Sequence, residues 1–159
     1  AINKGCQDVM GEGPLAAFPV VGVRVNLRDG KYHDVDSSDM AFRIAARNAM
    51  REAIRKANPK ILEPMMKVEV ETPEEYQGSV IGDLSSRRGI IGAMSSRSEV
   101  CVVNATVPLA EMFGYSTALR SMSAGKATYS MEFESFSPAP NNIAADVMKA
   151  RAEKLKNDD

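Results

Sequence analysis

The 159 residues, 44% hydrophobic and 26% charged, can bury the core of one medium domain or two small ones. A net charge of −1 excludes a global attraction to nucleic acid, so any RNA contact must come from local clusters of Lys and Arg. No apolar run approaches the roughly 18 residues of a membrane span and no secretory signal is visible, so a cytoplasmic protein with no membrane partner is expected.

Ile2, Cys6, Val9 and Met10 follow helical spacing, and Gly11, Gly13 and Pro14 stop that helix. The chain opens on Ala1 in mid-helix by pattern, as a piece of a longer protein would. From Pro19 the pattern alternates: Val21, Val23, Val25 and Leu27 share one face, which predicts a half-buried strand. Asp29-Gly30 signals a turn, and Lys31 to Val35 return as a short strand or extended loop. Asp36-Ser37-Ser38-Asp39 then supplies caps for a helix over about 37–57. Its predicted apolar face is Phe42, Ala45, Ala46, Ala49, Met50, Ala53, Ile54 and Ala57. Asn58-Pro59 ends it, and a Pro-bounded connector over Ile61 to Pro64 marks a domain boundary.

After a strand from about residue 65, Thr72-Pro73-Glu74-Glu75 makes a capping box with Pro at the first helical position. Tyr76, Val80, Ile81 and Leu84 form the inner stripe of that helix, and Gly89 takes the left-handed cap. Gly78 and Gly82 each cost about 1 kcal/mol relative to Ala inside a helix, a loss that close packing on a sheet or a partner would offset. Ile90–Met94 and Val100–Val107 are strands joined by a turn at Ser95–Ser98. Pro108 opens a second helix, Gly125 closes it, and Lys126–Phe136 is the last strand. Two β-α-β halves of matched length give the order βαββαβ, a ferredoxin-like sandwich in an α+β chain. Pro138-Ala139-Pro140 ends it, and a final helix follows from Asn141 with Ile143, Val147, Ala150 and Leu155 on one side and a frayed end at Asn157–Asp159.

Catalytic constellations are missing. There is no phosphate loop of the Gly-x-x-x-x-Gly-Lys-Ser/Thr type and no Gly-x-Ser-x-Gly. One His and two distant Cys cannot make a zinc site, so no metal is expected. Cys6 and Cys101 are either reduced core fillers or, alternatively, a disulfide pair or reactive thiol. Glu74-Glu75 complements a helix dipole rather than forming an acid–base pair. His33, the sole histidine, lies on the loop after Asp29-Gly30; a surface role without function competes with a stacking and hydrogen-bonding role toward RNA. Arg43, Arg47, Arg51 and Arg55 recur every four residues as a basic stripe opposite the alanine-rich face, with Asp39 and Glu52 the only acids nearby in sequence. That stripe is either a solvated face or a ridge contacting phosphates. Arg87-Arg88 either pairs with a helix dipole or reaches RNA.

Glu12-Gly13-Pro14-Leu15-Ala16, Tyr32-His33-Asp34-Val35-Asp36-Ser37-Ser38, Leu62-Glu63-Pro64, Ile81-Gly82-Asp83-Leu84 and Arg87-Arg88-Gly89 resemble elongation factor G, the translational GTPase of ribosomal translocation. Val107 to Tyr115, Leu119-Arg120-Ser121 and Tyr129 to Phe133 continue the resemblance over nearly the whole chain. It implies that residues 1–64 are the later part of the family's fourth domain, a partial β/α unit with a ribosomal-protein-like fold. Residues 65–137 become its ferredoxin-like fifth domain and 138–159 its C-terminal helix. It implies no cofactor in this chain, with GTP and Mg held by a GTPase domain outside it.

The implied partners are the ribosome (decoding centre, large-subunit rRNA and stalk base), tRNA and mRNA. Tyr32, His33 and Asp34 inherit an RNA-contacting tip, and Gly82, Arg87 and Arg88 become candidate rRNA contacts; the arginine stripe is not fully part of the family pattern, which leaves both of its readings open. The alternatives are a ribosome-recycling paralogue, a tetracycline ribosomal-protection factor, or a stand-alone ferredoxin-like binding module. Against a base-stacking module, strand Val100–Val107 has no aromatics. One physical expectation accompanies the fold. The helix over 37–57 needs a sheet to cover it, so residues 1–64 should associate with a partner or a second copy, or be looser than the rest.

Overall fold

In the computed structural model, which describes residues 1–158, the two β-α-β halves meet in one antiparallel sheet. Strands β1 (Leu62–Pro73), β2 (Ile90–Arg97), β3 (Val100–Pro108) and β4 (Thr128–Pro138) take the order β2-β3-β1-β4. Helices α3 (Gln77–Ser86) and α4 (Tyr115–Met122) connect β1 to β2 and β3 to β4, and each connection skips one strand. That is the ferredoxin-like arrangement, and the chain is α+β. The strand order follows from the pattern: alternate residues Met66, Val68 and Val70 of β1, and Val103, Ala105 and Val107 of β3, are buried together with Val80 and Leu84 of α3 and Tyr115 and Leu119 of α4. The central strands face two helices, and the edge strands β2 and β4 are largely exposed.

By spatial grouping the chain divides into Leu62–Pro138 and a second unit, Ala1–Ile61 with the segment from Ala139 onward. In the second unit α1 (Ile2–Met10) crosses α2 (Asp39–Lys56), burying Cys6 and Val9 against Met50 and Ile54. Gly5 makes the crossing possible, since a Cβ there would strike the Arg43 carbonyl oxygen. Ser38 caps α2 by accepting from the Ala41 N–H at 3.1 Å. Helix α5 (Asn141–Asn157) has no buried residue, and its Arg151 guanidinium lies 5.4 Å from the Phe18 ring centroid. Asn157 is still helical, and Asp159 of the expected frayed end lies outside the described residues.

Four expectations are corrected. Residues 19–35 form no strand: Val21, Val23, Val25 and Leu27 are 43–66% exposed. A strand needs a hydrogen-bonded neighbour, and among the described residues none pairs with this segment beyond the Val20 N–H donating to the Met10 carbonyl. Helix α2 packs through Ala46, Met50 and Ile54, not through the full alanine stripe; Ala45, Ala49, Ala53 and Ala57 are exposed. Thr72 does not cap a helix. It pairs with Cys101 in the sheet, fully buried, so its hydroxyl is unavailable to Glu75, and a 3₁₀ turn over Glu74–Tyr76 precedes α3. Gly89 does not take the left-handed position. Arg88 does, at φ 59°, and Gly89 is required because the Leu84 carbonyl oxygen occupies the place of a Cβ.

Candidate nucleic-acid interface

The loop bearing the sole histidine closes on itself. The Ser37 N–H donates to the His33 carbonyl at 3.1 Å, and the His33 N–H donates to the Ser37 hydroxyl at 2.7 Å. This reciprocal pair makes a tight turn over Asp34–Asp36 that runs directly into capped α2. Tyr32 is 68% exposed and Val35 92%, with His33 and Asp34 also exposed between them. One turn therefore displays a phenol, an imidazole and a carboxylate without satisfying any of them internally: among the described residues no side-chain partner holds them. The backbone is braced while the side chains stay available.

The arginine stripe divides in two. Asp8 on α1 accepts from Arg43 Nε at 2.7 Å and Nη2 at 2.8 Å, a forked pair, and from Arg47 Nη2 at 2.9 Å. Hydrogen bonding to Arg43, then to Arg47, holds the Asp8 carboxyl well below the usual carboxylate range, and Asp8 in turn raises Arg43. So Arg43 and Arg47 face α1, and the expectation of few acidic neighbours is corrected for them: the acid comes from another helix. Arg51 and Arg55 are exposed and, among the described residues, have no acid within ion-pair distance.

In the sheet unit, Gly78 and Gly82 of α3 face open space, with nothing within 4 Å of an added Cβ. The close packing that would offset their helix cost is not supplied by this chain. Arg87 and Arg88 are engaged internally. Arg87 donates from Nε to Asp83 at 2.8 Å and from Nη1 to the Glu111 carbonyl at 2.6 Å, and its guanidinium sits 5.1 Å from the Tyr115 ring centroid. Arg88 forks onto Glu63 at 2.8 and 2.9 Å and reaches Glu111 at 3.1 Å. Burial raises the Tyr115 phenol, whose hydroxyl has no partner among the described residues. These two arginines tie the end of α3 to β1 and to the turn before α4. Gly82 is the freely presented member of that trio.

The face of the sheet away from the helices is acidic. Lys67 pairs with Glu132 at 3.6 Å and Thr106 donates to Glu134 at 2.9 Å, while Glu69 and Glu71 follow Lys67 on the same face of β1, alternating with buried Val68 and Val70.

Two features were missed in the sequence. Asp8 is the hub of the α1–α2 contact; an acid one position from Val9 on a helix with a buried face was the available signal. Phe113, 79% exposed beside Gly114 at φ 76°, lies in the Val107–Tyr115 segment of the resemblance, but nothing in that segment signalled its exposure. Among the described residues no cluster of metal-ligating side chains occurs, and no helix is long and apolar enough to cross a membrane. Both cysteines are buried and free.

A family model described as "Elongation factor G, domain IV" matches residues 1–58, and one described as "Elongation factor G C-terminus" matches residues 60–147. A crystal structure of a protein from Thermus thermophilus is similar at TM-score 0.84 and 39% sequence identity, over 96% of this chain and 23% of that one. This chain thus spans 23% of the length of that relative. Two adjoining matches, together with a four-stranded antiparallel sheet in the second of them, carry one conclusion: the chain belongs to the elongation factor G family of translation factors and carries its non-catalytic domain IV and C-terminal parts.

Proposed function

We propose that this chain is the mechanical end of a GTP-driven translocase acting on the cytoplasmic ribosome. The observation that carries the reading is the self-closed Tyr32–Ser37 turn at the head of α2. A backbone already fixed by two reciprocal hydrogen bonds loses little conformational freedom on binding, so its aromatic, imidazole and carboxylate groups can meet tRNA, mRNA and the decoding centre at low entropic cost. A stiff body of this kind favours forward motion by filling the space a tRNA leaves. GTP, with Mg, is hydrolysed in a separate domain of the longer protein.

In the same reading α3 approaches large-subunit rRNA near the stalk base. The exposed glycines at 78 and 82 let a phosphate backbone come close to the helix surface, while Arg87 and Arg88 hold its end in place.

Substituting His33→Ala in the full-length factor should slow single-turnover translocation by about tenfold or more, a loss of roughly 1.4 kcal/mol in barrier stabilisation. Ribosome-stimulated GTP hydrolysis should stay near the parent rate. A parent-like translocation rate would remove the basis for a functional turn.

A further inference from the structure

Of the four arginines on α2, two are consumed by Asp8 and two are not. Arg51 and Arg55 lie one helical turn apart, about 6 Å along the axis, and flank a shallow cleft of about 130 Å³ walled by Glu12, Gly13 and Pro14. The nearest acids on their own helix do not neutralise them: Glu52 is taken by Lys56 at 2.7 Å. Glu12 lines the same cleft without forming an ion pair with either. Among the described residues, two positive charges thus remain without an ion pair beside a concavity that one carboxylate, Glu12, also lines, on a chain whose net charge is −1.

We propose that Arg51 and Arg55 are a contact for the phosphate backbone of RNA, and that Arg43 and Arg47 are internal braces which orient the helix carrying it. The inference rests on the ribosomal reading above and adds to it a second RNA surface, separate in sequence from the His33 turn. Guanidinium groups suit it because each can donate two parallel hydrogen bonds to one phosphate. Repeating them every turn offers successive phosphates successive partners. The contact is blind to sequence, since only backbone charge is read. Glu12 works against it and so limits its strength.

The test uses the 159-residue chain and a fluorescent RNA duplex of about two helical turns, with affinity followed by anisotropy from low to moderate salt. Releasing two counterion contacts changes the slope of log affinity against log salt by about 2. Arg51→Gln/Arg55→Gln should therefore lower the slope by that amount and weaken binding about tenfold at low salt, with the melting temperature unchanged. Glu12→Gln should shift affinity the other way. Lys149→Gln/Lys154→Gln, an equal change in net charge on α5, should leave the slope near the parent value.

An unchanged slope in the arginine pair overturns the proposal, as does an equal loss in the α5 control or a parent chain that does not bind the duplex. Translocation by the His33→Ala factor is independent of all three. A failure here with slowed translocation there removes only this contact and leaves the functional reading standing.

Discussion

At the scale of single residues, two ionic hubs decide more than their number implies. Asp8 is a carboxylate held by two guanidinium groups from the neighbouring helix, and its folded-state pKa lies below the unfolded value of about 3.9. A depressed carboxyl stabilises the fold above the unfolded pKa, and that contribution disappears as pH falls through the folded value. The α1–α2 contact should therefore weaken progressively below about pH 4. Asp8→Asn should lower the melting temperature at neutral pH and flatten this acid dependence, as followed by circular dichroism. Parallel acid profiles for the two proteins would show that Asp8 is not the group responsible.

Arg88 differs because its partner is nearly enclosed: the Glu63 side chain is 12% exposed. Truncating the arginine strands that carboxylate, and Arg88→Ala should destabilise the sheet unit by about 1–3 kcal/mol, the buried-pair figure reduced for partial exposure. Chemical denaturation measures it. A change below about 0.5 kcal/mol would mean that the forked pair contributes nothing net, as many exposed pairs do.

At the scale of elements, residues 19–35 and α2 show what happens when a pattern lacks its counterpart. Alternating Val21, Val23, Val25 and Leu27 would sort correctly onto a sheet, yet their side chains and backbone face solvent. Ala45, Ala49, Ala53 and Ala57 of α2 are likewise exposed. Each missing burial forgoes stabilisation, about 25 cal/mol for every Å² left in water. Hydrogen exchange should accordingly find the amides of 19–35 almost unprotected, and those of central strands β1 and β3 the slowest in the chain. Equal protection in both regions of a dilute monomer would contradict this.

Elements with complete counterparts behave otherwise. Strand β1 is paired on both sides over most of its length, and α3 and α4 both cover it; it is the centre of the larger core.

At the scale of the whole molecule, the proposed function rests on what is displayed rather than on what reacts. The braced Tyr32–Ser37 turn, the bare glycine face of α3 and the unpaired arginines of α2 are all surfaces with no internal consumer among the described residues. On the reading proposed above, a factor that works by fitting against RNA needs stiff elements and selected uncompensated charge, and this chain displays both.

The amino-acid order alone determined the periodicities, and with them α1, α2 and the βαββαβ sequence, because apolar spacing and capping residues act within a few positions; the turn signalled by Asp29-Gly30 falls instead over Asp34–Asp36. The same order carried the family resemblance that family matching then bore out. Local pattern could not say which charges are spent. Whether Arg43 is free depends on Asp8, thirty-five residues away, and whether Arg88 is free depends on Glu63 and Glu111. Nor could it say that the alternating valines lack a partner, or that Thr72 is drawn into the sheet before it can cap a helix. Those outcomes were left to tertiary structure, since pairing and burial are properties of what lies across a gap in space, and spacing along a chain records only one side of it.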